Sequence, residues 1–133
     1  MSSPHFSRRA ARFLTVSCAA VWAAAFVTTH VPEAPLRSIS LHDKALHFLG
    51  YLVLSVWLGL TLAARGVPAI RRMGWVVGVS AAYGAFDELT QPIVGRCTSL
   101  TDWLANVCGA IAAVLLLEAT FYLNAYLRKG RQA

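Results

Sequence analysis

Four long apolar runs divide this chain: Phe13 to Val31, Ala45 to Ala64, Met73 to Val94 and Trp103 to Leu127. No other feature limits the fold so narrowly. Each run has roughly the 20 residues that cross a ~30 Å hydrocarbon slab at about 1.5 Å per residue. A single run of that length crosses only as an α-helix, because lipid offers no partner to an unpaired backbone N–H or C=O. The links are short and hold Pro32 and Pro35, then Gly66 and Pro68, then Gly95. Short links make successive helices antiparallel. The expected fold is therefore all-α, a four-transmembrane-helix up-down bundle, and 133 residues leave room for one such domain. Residues 1–12 read as a basic N-terminal segment, 13–127 as the membrane domain and 128–133 as a basic tail.

Charge sets the orientation. Only 14% of residues are charged, against roughly 25% in soluble domains. The formal charge of +6 invites a nucleic-acid reading, but the cations stand in short clusters beside apolar runs, with no aromatic interleaving. No nucleic-acid partner is expected. Arg8, Arg9, Arg12, Arg65, Arg71, Arg72, Arg128, Lys129 and Arg131 fall on one side of the four-span topology. Arg37, Lys44 and Arg96 fall on the other. The positive-inside rule places the first side, with both termini, in the cytoplasm. A competing reading takes the basic start, apolar stretch and small residues Ala23 to Ala25 as a cleaved leader. The apolar run continues past Ala25 to Val27, which fits a span better.

Cys18, Cys97 and Cys108 show no metal or redox spacing. Cys18 and Cys108 read as small packing residues, and Cys97 lies in a loop facing outward.

Ionisable groups inside a bilayer are costly and point to function by default. Here they gather at one end. Asp43, His47 and Tyr51 follow at intervals of four and share a helix face, with Lys44 at the interface. Glu88 and Gln91 share a face with Gly84 one turn further in, while Tyr83 and Asp87 form a neighbouring row. Asp87 points about 100° away from Glu88 around the helix, so the two cannot serve the same contact. Asp102, Asn106 and Gly109 line the start of the fourth run, and Arg96 and Ser99 sit in the loop before it. All lie within about 10 Å of the outer surface by helical rise. Glu118 stands apart, roughly 24 Å down the fourth run from Asp102, where it is expected near the basic tail with Tyr122 and Tyr126.

Bland readings compete with this one. Gly84 and Gly109 suit close helix contact, and Asn106 and Gln91 suit interhelical hydrogen bonds. Asp43 suits a helix cap, Lys44 a snorkelling cation, and Tyr51 packing with a bonded hydroxyl. Glu88 and His47 resist that treatment, since a buried ion pair is a poor source of stability.

The strings Asp43-Lys44-x-x-His47-Phe48-x-x-Tyr51, Tyr83-Gly84-x-x-x-Glu88-x-x-Gln91 and Gly95-Arg96-x-x-Ser99-x-x-Asp102-x-x-x-Asn106-x-x-Gly109 closely resemble the VanZ-like family. The resemblance runs from about Leu41 to Leu117. It departs at Ala113, where many members carry a second glycine. It implies a small multi-pass protein of the bacterial inner membrane. The family takes its name from a member associated with low-level teicoplanin resistance, and it supplies no established reaction.

The expected ligand is an anionic lipid or polyprenyl-phosphate headgroup, met by Asp43, Lys44, His47, Tyr51, Glu88, Gln91, Arg96, Ser99, Asp102 and Asn106. One alternative is an enzyme acting on an envelope lipid, with His47, Glu88 and Asp102 as the catalytic candidates. Another is an accessory subunit whose polar residues only hold helices together. Three carboxylates and a histidine have the donor chemistry for a metal, but no pair of histidines stands at i and i+4. No metal ligand and no cofactor is therefore expected. Membrane lipids are the expected partners, and homo-oligomerisation is left open.

Overall fold

The computed structural model describes residues 6–30 and 41–131. Pro32, Pro35 and Arg37 lie outside the described residues. The elements are α1 (Arg8–Thr29), α2 (Leu41–Ala64), α3 (Ala69–Thr90), a 3-10 turn (Gln91–Val94) and α4 (Leu100–Gly130), with no strand among the described residues.

Local chemistry sets the helix ends. Ser7 caps α1 by accepting a hydrogen bond from the Ala10 N–H at 3.2 Å, so this helix begins a turn before its apolar run. α2 stops at Gly66, whose φ of 77° is left-handed. There the Val67 N–H reaches the Leu62 carbonyl and the Gly66 N–H the Ala63 carbonyl. These are the two bonds of a Schellman stop, which favours glycine. Gly95, with φ 81°, ends the 3-10 turn in the same way. Ser99 then caps α4, accepting from the Asp102 N–H at 3.3 Å.

Helices α1, α2 and α4 are long and apolar enough to cross a membrane. α3 has the length, 22 residues, but falls short in apolarity because Arg71, Arg72, Asp87 and Glu88 stand near its ends. Four equivalent apolar spans were expected. The difference has a packing cause, since Arg72, Asp87 and Glu88 are buried against neighbouring helices.

Interhelical contacts fix the relative directions. Lys44, His47 and Gly59 of α2 meet Asp102, Asn106 and Leu117 of α4 in turn, so these two helices run in the same sense. Trp57 and Thr61 of α2 meet Ser17 and Leu14 of α1, so that pair is antiparallel. Ser55 and Tyr51 of α2 lie by Ser80 and Gly84 of α3, also antiparallel. A Cβ added at Gly109 would collide with the Phe48 carbonyl oxygen and stand 3.0 Å from the Leu52 N. Gly109 thus lets the backbones of α2 and α4 touch. Ala113, one turn further along α4, is fully buried.

The burial pattern is inverted relative to a soluble domain. Val16, Leu49, Trp75, Leu115 and Leu123 are exposed, while Ser55, Ser80, Asp87, Gln91 and Asn106 are buried. At the end opposite the outer cluster, Arg72 donates to both carboxylate oxygens of Glu118 at 2.8 Å and to the Val67 carbonyl at 3.0 Å. Its guanidinium carbon lies 5.1 Å from the centre of the Phe121 ring. This corrects one expectation: Arg72 is a buried helix residue instead of a loop cation, and Glu118 is its partner. A planar fork with a matching carboxylate explains why an arginine tolerates that depth.

Candidate functional site

The polar ends of α2, α3 and α4 converge. His47 Nδ1 lies 3.0 Å from Asn106 Oδ1 and 4.0 Å from Glu88 Oε1. Lys44 Nζ donates to Asp102 Oδ1 at 3.1 Å and to Thr101 Oγ1 at 2.7 Å. Gly84 makes the floor. A Cβ there would stand 3.1 Å from Asn106 Nδ2 and 3.3 Å from the Tyr51 hydroxyl. Asp43, Lys44, His47, Tyr51, Glu88, Asp102 and Asn106 therefore belong to one connected group.

Glu88 has an unusual place in it. An α4 N-cap serine with an acid three residues later ordinarily forms a reciprocal capping box, the acid accepting from the serine N–H. Here Ser99 is the cap and Asp102 the acid, but the Ser99 N–H donates to Glu88 Oε2 at 2.8 Å. Glu88 of α3 takes over the capping bond, and the Asp102 carboxylate turns to Lys44. Thr98 Oγ1 also donates to the Glu88 carbonyl, at 2.9 Å, fastening the loop to the end of α3.

The group is under-satisfied. Tyr51 Oη, Glu88 Oε1 and Asn106 Nδ2 are buried polar atoms with no hydrogen-bond partner among the described residues. Each such atom carries a desolvation cost of about 1–3 kcal/mol. Three around one histidine are hard to explain as helix-joining chemistry, which would pair them.

A groove of about 280 Å³ opens beside this group, between the C-terminal end of α1 and the N-terminal half of α2. Asp43, His47 and Tyr51 line its polar wall, Ala25, Leu46 and Leu54 its apolar wall, and Arg96 and Thr29 its rim. Arg96 donates to the Thr29 carbonyl at 3.3 Å. The volume lies just below the range of small-molecule pockets, about 300–1,000 Å³. It matches a headgroup better than a whole lipid.

Two expected site residues stand elsewhere. Ser99 acts as a helix cap and donates to Glu88 through its backbone. Gln91 faces Asp87, donating to Oδ2 at 3.4 Å. Asp87 is the centre of a second group that sequence reasoning missed. Thr29 Oγ1 donates to Asp87 Oδ1 at 2.6 Å, and His30 Nδ1 lies 3.6 Å from the same oxygen. His30 Nε2 lies 2.8 Å from Thr90 Oγ1. As their angular separation on α3 implies, Asp87 faces α1 while Glu88 faces the start of α4 and His47 of α2. The one available signal was His30 itself, an ionisable residue at the outer end of the first apolar run.

Asp43, His47 and Asp102 each offer a potential metal-ligand atom, and these atoms lie within 4.8 Å of one another. The chemistry on offer is thus an imidazole with carboxylates on two sides, cations at the edge, and an apolar lateral wall.

A family model described as VanZ/LLP1 matches residues 5–122. No curated protein and no solved structure matches the chain.

Proposed function

The chain belongs to the VanZ/LLP1 family, and from that premise we propose that it binds the anionic headgroup of a phospholipid or polyprenyl phosphate at the outer face of the bacterial inner membrane. In this reading all four helices span the bilayer with both termini in the cytoplasm, α3 crossing with Arg72, Asp87 and Glu88 turned into the bundle. Support for the orientation comes from the basic residues of the two ends and the α2–α3 link.

The observation that carries the reading is the buried, under-satisfied group of His47, Glu88, Asn106 and Tyr51 beside a groove with one apolar wall. A headgroup entering laterally from lipid would meet Tyr51 and His47, which line the groove, with Asn106 and Glu88 behind them, while its chains stay against Ala25, Leu46 and Leu54. Arg96 and Lys44 supply charge-assisted donors for phosphate. Glu88, Asp102 and Asn106 orient Lys44 and His47. The test is binding of polyprenyl phosphate to protein reconstituted in zwitterionic nanodiscs. Arg96→Ala should weaken it roughly tenfold, one lost charge-assisted hydrogen bond being about 1.5–3 kcal/mol. Wild-type affinity in both Arg96→Ala and Glu88→Ala would remove the proposal.

A second reading, an enzyme acting on an envelope lipid, is favoured by the approach of Glu88 Oε1 to His47 Nδ1. A carboxylate beside one ring nitrogen prepares the other to accept a proton. Turnover of a phosphorylated lipid that disappears in His47→Gln, with binding retained, would establish it.

A further inference from the structure

We propose that Asp43, His47 and Asp102 form a divalent-cation site at the mouth of the groove, selecting an ion of the Mn2+ or Zn2+ kind.

Three observations support it together. The three ligand atoms lie within 4.8 Å of one another, two from one face of α2 and one from the first turn of α4. The spacing Asp43–His47 is i, i+4, which places both donors on one side of a helix. Asp102 is buried and His47 nearly so, which separates this cluster from the loose acidic patches common on protein surfaces.

The histidine is also preset. His47 Nδ1 faces Asn106 Oδ1 at 3.0 Å and Glu88 Oε1 at 4.0 Å. With the Asn106 amide oxygen accepting, the proton sits on Nδ1, and that leaves the Nε2 lone pair for a ligand. A ligating histidine held through its other nitrogen by an oxygen acceptor is the usual outer-shell arrangement of metal sites. Glu88 Oε1, buried without a hydrogen-bond partner among the described residues, then has a role as the counter-charge to a metal-bound imidazole.

Asp102 has capacity to spare. Lys44 takes Oδ1, and no hydrogen bond reaches Oδ2 among the described residues. The transfer of the α4 capping bond to Glu88 is what leaves this carboxylate available. With Lys44 included, the cluster of Asp43, Asp102 and Lys44 sums to one negative charge. That suits a divalent cation which keeps positions open for a further anionic oxygen. Mixed imidazole and carboxylate donors suit Mn2+ and Zn2+ better than Ca2+, which prefers oxygen alone.

That the further oxygen comes from a headgroup phosphate rests on the lipid reading above; the metal site itself does not. The test is therefore made with metal alone. Tag-free full-length protein in a neutral detergent is titrated with Mn2+ by electron paramagnetic resonance and with Zn2+ by calorimetry. One equivalent per chain is expected. Asp43→Asn, at a half-exposed position that folding should tolerate, is expected to weaken binding at least tenfold, and His47→Gln to abolish it. Asn106→Ala, acting only through His47, should cost roughly 10–100-fold, with its unfolding temperature measured alongside. No saturable binding, or binding unchanged in Asp43→Asn and His47→Gln, overturns the site. If metal binds but polyprenyl phosphate does not, the lipid reading fails and the metal site stands. If the lipid binds equally in EDTA and no metal is taken up, the reverse holds.

Discussion

At the residue scale, Glu88 joins two jobs that mutation can separate. Its Oε2 accepts the Ser99 N–H, and its Oε1 faces His47. Glu88→Gln keeps an acceptor for Ser99, so the unfolding temperature in detergent should fall only slightly while headgroup binding falls at least tenfold. Glu88→Ala also strands the Ser99 N–H, costing about a further 1–3 kcal/mol. Equal losses of stability in the two variants would reduce Glu88 to a helix fastener. Arg72 is the contrasting case. Arg72→Ala leaves Glu118 without its partner and should cost about 3 kcal/mol, the low end for a broken buried pair. Headgroup binding per folded molecule should be unaffected, because Arg72 lies at the far end of the bundle. The double variant Arg72→Met with Glu118→Leu should recover most of the loss, measured by thermal unfolding.

Part of the site was legible in the sequence because helical spacing alone aligns Asp43 with His47 and Asp102 with Asn106; the same spacing set Gln91 beside Glu88, whereas it bonds Asp87. What spacing cannot show is which rows face each other across helices. Asp87 looked like the lesser neighbour of Glu88, yet it anchors Thr29 of α1 and His30, which caps that helix. Arg72 looked like one more loop cation because Arg71 and Arg65 are nearby, and only its fork onto Glu118 reveals otherwise. The sequence offered the donor chemistry for a cation, but without a recognisable spacing it could not show that Asp43, His47 and Asp102 converge.

At the scale of elements, the α2–α4 contact is the rigid part of the fold, and glycine sets its distance. Gly109→Ala must push α2 and α4 apart, because the obstacle is the Phe48 backbone and not a movable side chain. A destabilisation of about 1–3 kcal/mol is expected, seen as a clear drop in unfolding temperature. Gly84→Ala meets side-chain ends, Asn106 Nδ2 and Tyr51 Oη, at distances where small shifts suffice. It should change stability little and headgroup affinity more, since those are the under-satisfied atoms of the site. Helix positions were readable from apolar length, and their ends moved by up to about a turn because Ser7 and Ser99 supply caps that hydropathy does not register. α3 is the element whose apolarity falls short: three of its charges, Arg72, Asp87 and Glu88, are buried against neighbouring helices.

At the scale of the whole molecule, polarity is packed inward at two ends and apolar side chains face out between them. The end bearing His47 has a groove and unmatched polar atoms; the other end has a saturated arginine–glutamate pair. That asymmetry is why ligand binding is assigned to the first. The orientation can be checked with Cys97, an exposed free thiol in the loop before α4. With Cys18→Ser and Cys108→Ser in place, a membrane-impermeant maleimide should label it from the periplasmic side of intact spheroplasts. Labelling only after lysis would reverse the topology. The central claim, that the outer groove holds an anionic headgroup, is tested most directly by mass spectrometry of lipids co-purifying with the wild type and with a His47→Ala/Glu88→Gln double variant. The account predicts a phosphorylated lipid enriched on the wild type and lost from a double variant that remains folded. Identical lipid profiles from two folded proteins would contradict it.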